Sequence, residues 1–88
     1  MRKSLYYVLS QTWLWNKHKA YKGNYSAKIQ GELIVIRLFN NPICVINNYA
    51  QKVYLSHCNY YTRTTQTAIN SLADYFGVYS TYKVEIID

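Results

Sequence analysis

Eighty-eight residues make one domain, large enough to fold alone with a small margin, and a composition that is half hydrophobic with only three Gly and one Pro is that of a folded rather than a disordered chain. The net charge of +6 sits at one end: residues 1–31 hold Arg2, Lys3, Lys17, Lys19, Lys22 and Lys28 and no acid, whereas Arg37, Lys52, Arg63 and Lys83 are cancelled by Glu32, Asp74, Glu85 and Asp88. Such a segment is drawn to polyanions, whether nucleic acid or the acidic face of a protein, and no run approaches the roughly 20 apolar residues of a membrane span.

Taken in chain order, the opening segment Ser4–Trp15 reads two ways. Leu5, Tyr7 and Leu9 alternate as in a strand, while Leu5, Val8, Leu9 and Thr12 share one helical face; aromatic and β-branched content favours the strand. This apolar run is too short and too tyrosine-rich for a secretory signal, so cytoplasmic residence and no membrane partner are expected. Asn16–Asn24 reads as a basic loop closing on the turn pair Gly23-Asn24.

Tyr25–Gln30 forms a first strand with Gly31-Glu32 as its turn. Leu33–Phe39, apolar on both faces, belongs at the centre of a sheet. Asn40-Asn41-Pro42 breaks it, because Pro fixes its own φ and pushes Asn41 out of the helical region. Ile43–Ile46 is the next strand, Asn47-Asn48 a turn and Gln51–Ser56 a further strand, so short neighbours imply an antiparallel meander.

Beyond Thr62 the period changes. Ala68, Ile69, Leu72, Ala73 and Phe76 lie on one helical stripe, with a threonine of Thr62–Thr65 as its cap and Gly77 as the C′ residue that leaves it. Val78–Ile87 then alternates as a final strand, its even positions inward. The expected fold is α+β: a small antiparallel sheet of four to five strands with one helix, in the C-terminal half, packed on a face. Its core is Leu33, Val35, Leu38, Ile43, Val45, Val53, Leu55, Ile69, Leu72, Phe76, Val84 and Ile86, and pairing of an exposed edge strand gives a possible homodimer.

Three motifs stand out: Lys19-Ala20-Tyr21-Lys22-Gly23-Asn24, Asn41-Pro42-Ile43, and Thr62-Arg63-Thr64-Thr65 followed by Ile69-Asn70. Over about residues 19 to 76 they resemble a group of small, functionally uncharacterised proteins of tailed phages and related mobile elements. Such relatives often carry Lys or Arg directly after the paired threonines, where this chain has Gln66. The resemblance implies a viral gene product.

Two candidate sites emerge. The helix start offers free N–H groups, the hydroxyls of Thr62, Thr64 and Thr65, and the Arg63 guanidinium, a combination suited to an anion; an ordinary N-cap uses the same residues. Trp13, Trp15, Lys17, Lys19, Tyr21 and Lys22 interleave cations with flat rings, as a single-stranded nucleic acid requires; alternatively the tryptophans are core and the lysines solvate a loop. His18, His57, Cys44 and Cys58 lack metal-ligand spacing, no phosphate or dinucleotide loop is present, and no paired carboxylates occur, so no metal, cofactor or catalysis is expected. Cys44, inside an apolar run, reads as a small buried hydrophobe.

On the phage resemblance, the first functional expectation is a non-catalytic modulator of a host factor, such as a nuclease or an RNA-guided defence complex. The second is direct binding of DNA or RNA.

Overall fold

The computed structural model describes residues 1–87; Asp88, one of the four acids, lies outside the described residues. The chain forms helix α1 (Lys3–Leu9), a π-helical turn (Ser10–Leu14), strands β1 (Lys19–Lys22), β2 (Tyr25–Gln30), β3 (Leu33–Leu38), β4 (Asn41–Asn47) and β5 (Lys52–Leu55), helix α2 (Arg63–Tyr79) and strand β6 (Lys83–Ile86). The six strands lie in one sheet in sequence order. Five make an antiparallel meander, and β6 runs parallel to β5.

The meander follows from its turns. Lys22 pairs with Tyr25, Gln30 with Leu33 and Leu38 with Asn41, so three successive hairpins close over two residues each. Gly23 and Gly31 supply the left-handed backbone in the first two, and a Cβ on Gly23 would also crowd the Ser4 hydroxyl at 3.3 Å. In the third, Phe39 and Asn40 both take positive φ (50° and 66°), the pairing of dihedrals that matches the natural twist of a hairpin. The β4–β5 loop is longer and held by the Asn47 side-chain oxygen, which accepts from the Ala50 N–H at 2.9 Å.

The parallel β6 corrects the expectation of a wholly antiparallel sheet of four to five strands. Helix α2 has 17 residues, about 25 Å at 1.5 Å per residue, and carries the chain back across the sheet, so the next strand re-enters in the same direction as β5. The Asn16–Asn24 segment, expected as a loop, contains edge strand β1. Pro42 does not break the chain before β4 but sits inside it, opposite Arg37, where the register shifts between Ile36 and Arg37; a bulge accommodates a residue without an N–H.

The opening segment is helical, not a strand. Leu5, Val8, Leu9 and Thr12 are all buried, and the Thr12 hydroxyl donates to the Val8 carbonyl at 2.8 Å. The one-sided burial of a helical stripe outweighs the β preference of its aromatic and branched residues. Helix α2 also runs through Gly77 and Val78 to Tyr79, so Gly77 is an interior helical residue rather than the C′ residue. Ser80 ends the helix, its hydroxyl donating to the Phe76 carbonyl at 2.7 Å. The final strand is accordingly only four residues long.

One layer of helices covers one face of the sheet. The core joins Leu5, Val8 and Leu9 of α1 and Ala68, Ile69, Leu72 and Phe76 of α2 to Ala27, Ile34, Ile36, Leu38, Cys44, Ile46, Val53 and Leu55 of the strands. Trp13 plugs one end, its ring 4.9 Å from Phe76, 5.9 Å from Tyr75 and 5.8 Å from Tyr82. Leu33, Val35 and Val45, expected in this core, point to the other face, because Ile34, Ile36 and Ile46 take the inward positions and neighbouring residues must alternate; Val35 is nevertheless buried there, as expected, whereas Leu33 and Val45 are half-buried. Ile86, also expected inside, is 60 % exposed at the sheet edge.

Candidate functional site

The face without helices is built by register. Pairing aligns Lys19, Lys28, Val35, Val45, Tyr54 and Glu85 across all six strands. One row is Tyr21, Ser26, Arg37 and Pro42; the other is Gln30, Leu33, Asn47, Lys52 and Lys83. The rows lie two residues apart on their strands, three apart on β4 where the bulge separates Pro42 from Val45, and opposite the buried set, so their side chains project from the uncovered face.

That face holds five of the ten basic side chains: Lys19, Lys28, Arg37, Lys52 and Lys83. The six strands contain a single acid, Glu85. Leu33, Val35 and Val45 form an apolar floor among the cations, shielded in part by long basic side chains whose stems can lie along it. Tyr21 adds a ring that is 67 % exposed. Beside it, a shallow cleft of about 250 Å³ is lined by Tyr21, Gly23, Asn24, Ser26, Phe39 and Asn40. Tyr54 contributes a second, half-buried phenol near the opposite edge.

The basic N-terminal segment does not stay together. Lys19 and Lys28 reach the open face, Lys17 lies in the connection before β1, and Arg2 and Lys3 start the first helix. Lys22 points to the helical side, its ammonium 5.6 Å from the centre of the Tyr7 ring, within cation–π range. Trp13 is committed to the aromatic core, whereas Trp15 is 71 % exposed. Of the aromatic and basic residues singled out from sequence, Lys19 and Tyr21 alone join the sheet face. Lys28, Arg37, Lys52, Lys83 and Tyr54 complete it.

At the start of α2 the threonines are engaged in capping. The Thr62 hydroxyl accepts from the Thr65 N–H at 3.2 Å and lies 3.0 Å from the Thr65 hydroxyl, which is itself fully buried. Thr64 is half-buried and Arg63 exposed in the helical layer, away from the cationic sheet face. Gln66 bonds to the His57 ring at 2.7 Å and to the Asn70 side chain at 3.0 Å, and the His57 ring stacks on Tyr61. These polar groups are matched to one another.

A second surface lies between the helices: a groove of about 570 Å³ lined by Met1, Tyr6, Ser71, Asp74, Tyr75, Val78 and Tyr79. Burial pushes the Tyr75 phenol above its ordinary pKa, helped by the neighbouring Tyr6 and Tyr79. Among the described residues no three of His, Cys, Asp or Glu gather as a metal site, and no helix is long and apolar enough to cross a membrane. Cys44 is buried and Cys58 partly exposed, both as free thiols.

Set against protein-family models, curated proteins and solved structures, the chain matches none of them.

Proposed function

We propose that this chain is a small non-catalytic binding protein whose uncovered sheet face holds single-stranded nucleic acid. The observation that carries the reading is the gathering of Lys19, Lys28, Arg37, Lys52 and Lys83 on one side of a sheet whose other side is sealed by helices. Cations spread over a flat surface follow a phosphate backbone, and an exposed ring such as Tyr21 offers a stacking platform for a base of any identity. Single strands suit this geometry better than duplex, since duplex bases are already stacked and their edges lie in grooves that a flat sheet does not enter. The resemblance to phage proteins supplies the setting, a viral product acting in the cytoplasm of its host.

The test is a titration of labelled oligothymidine, oligouridine and duplex DNA at low and moderate salt. Tighter binding of single strands, with affinity falling steeply as salt rises, supports the reading. Absence of binding at low salt removes it.

A second reading, modulation of a host nucleic-acid-targeting defence complex, draws on the inter-helix groove. Tyr6, Val78 and Tyr79 are exposed there around a half-buried Tyr75, and aromatic anchors in a depression suit a protein partner. In that arrangement the groove grips the protein while the cationic face competes for its nucleic-acid path. Tyr79→Ala should then abolish capture of the host complex and leave oligonucleotide affinity unchanged.

A further inference from the structure

The two edges of the sheet differ in how they treat a second copy of the same chain. At the β1 edge the Ile29 N–H donates to the His18 carbonyl at 2.8 Å, so Lys19 and Tyr21 turn their backbone outward, and no register of β1 against a second β1 brings opposite charges together, because this strand carries two lysines and no acid. At the β6 edge the reverse holds. The Lys83 N–H donates to the Gln51 carbonyl at 3.0 Å and the Ile87 N–H to the Leu55 carbonyl at 2.9 Å, so the odd residues of β6 turn their backbone towards β5. Val84 and Ile86 therefore turn theirs outward, and this outward row is the unpaired rim of the sheet.

We infer that β6 joins β6 of a second copy about a two-fold axis centred on Val84. In that register Val84 faces its own equivalent and exchanges both N–H···O bonds with it. Lys83 faces Glu85 of the copy, Glu85 faces Lys83, and Ile86, exposed in the single chain, comes opposite Tyr82. The Lys–Glu positions are the closely spaced, non-hydrogen-bonded pairs of an antiparallel ladder, where opposite charges attract best. A shift of the centre to Glu85 keeps the outward groups paired but sets the two glutamates against each other. Charge thus selects one register among those that the backbone permits.

The axis stands perpendicular to the sheet, so both uncovered faces point the same way and both helical layers lie beneath. The product is a continuous twelve-stranded sheet. Its single acid per copy is neutralised at the seam, and the two sets of cations form one longer track. The dimer does not depend on the nucleic-acid reading, and its test uses protein alone.

Sedimentation equilibrium of the full chain at several concentrations provides that test. The unaltered chain should dimerise. Lys83→Glu and Glu85→Lys should each weaken dimerisation on the order of tenfold or more, since each turns both cross-seam attractions into repulsions. The combined Lys83→Glu/Glu85→Lys chain should dimerise again, because the exchanged charges attract once more. Val84→Pro should block association without disturbing the β5 ladder, as it removes only an outward N–H; a native circular-dichroism spectrum and a cooperative melt verify that the chain still folds. A monomer at every concentration, single reversals that dimerise as well as the unaltered chain, failed restoration in the double reversal, or growth beyond a dimer each overturn the inference.

Discussion

Removal of Lys28 and Arg37 together is the sharpest perturbation of the proposed nucleic-acid face. The two residues project from adjacent central strands, in neighbouring rows of the uncovered surface. Five cations line that face. Each phosphate neutralised on a single strand contributes about −0.7 to the slope of log affinity against log salt, so full engagement gives a slope of about −3.5. Lys28→Ala/Arg37→Ala leaves three contacts and a slope of about −2.1. Over a roughly fourfold rise in salt, the unaltered protein then loses about a hundredfold in affinity and the variant only about twentyfold. Fluorescence anisotropy of labelled oligothymidine at graded salt measures both slopes. The necessary comparison is Lys22→Ala/Arg63→Ala, which removes the same net charge from positions off the face and should keep the slope near −3.5. Equal shallowing in both double variants would show that the protein responds to total charge, and the reasoning from the sheet face would fail.

Other outcomes are as specific. Tyr21→Ala should cost about 1–3 kcal/mol of single-strand affinity with no change in salt slope, because stacking is lost and no phosphate contact is; parallel salt titrations distinguish the two. Gly77→Ala should stabilise the fold by about 0.5–1 kcal/mol in urea unfolding, since a Cβ there meets nothing within 4 Å and the backbone is helical; destabilisation would restore Gly77 to the helix terminus. Leu9→Ala should cost about 2–5 kcal/mol by the same measurement, as Leu9 is fully buried in the common core, and a change under about 0.5 kcal/mol would mean that α1 does not pack there. Burial raises the Cys44 thiol well above its usual range, so brief treatment of native protein with a thiol reagent should add one label, on Cys58, by mass spectrometry; two labels would contradict the burial. Burial also raises the Tyr25 phenol, only partly offset by the Arg2 guanidinium. A raised folded-state pKa gives stability that is intact below the unfolded value of about 10 and declines as pH climbs through the folded one, so a Tyr25→Phe chain should lose less stability than its parent in alkaline melts.

What the sequence disclosed depended on whether local chemistry or long-range register decided the outcome. Tyr25–Gln30, the Gly31-Glu32 turn and a threonine cap within Thr62–Thr65 follow from neighbours alone and stand where they were expected, with Thr62 as the capping residue. The opening helix shows two competing periods, and only its packing against the strands selects Leu5, Val8 and Leu9 as a buried stripe. Strand β3 is apolar at nearly every position, so composition cannot say which set faces inward. The two-residue turns settle that parity: once Gln30 is paired with Leu33, Lys28 must fall opposite Val35 and Ser26 opposite Arg37. The cationic face was therefore concealed in the sequence by distance, with Lys19 and Lys83 far apart in the chain and gathered on one surface by five successive pairings. Charge counting along the chain pointed to residues 1–31, but folding sends Lys22 to the helical side and recruits Lys52 and Lys83 instead.

The crossover that places β6 beside β5 has a consequence during synthesis. Trp13 meets Phe76 and Tyr82, so this aromatic plug closes only when the chain as far as Tyr82 has left the ribosome. Until α2 arrives, the meander can form its ladders but has most of its oily side uncovered. Contacts of such long span delay completion and lengthen the interval in which a nascent chain can aggregate. A chain stalled before Phe76 should accordingly be held by chaperones, and release from them should coincide with the shift of Trp13 emission to shorter wavelength.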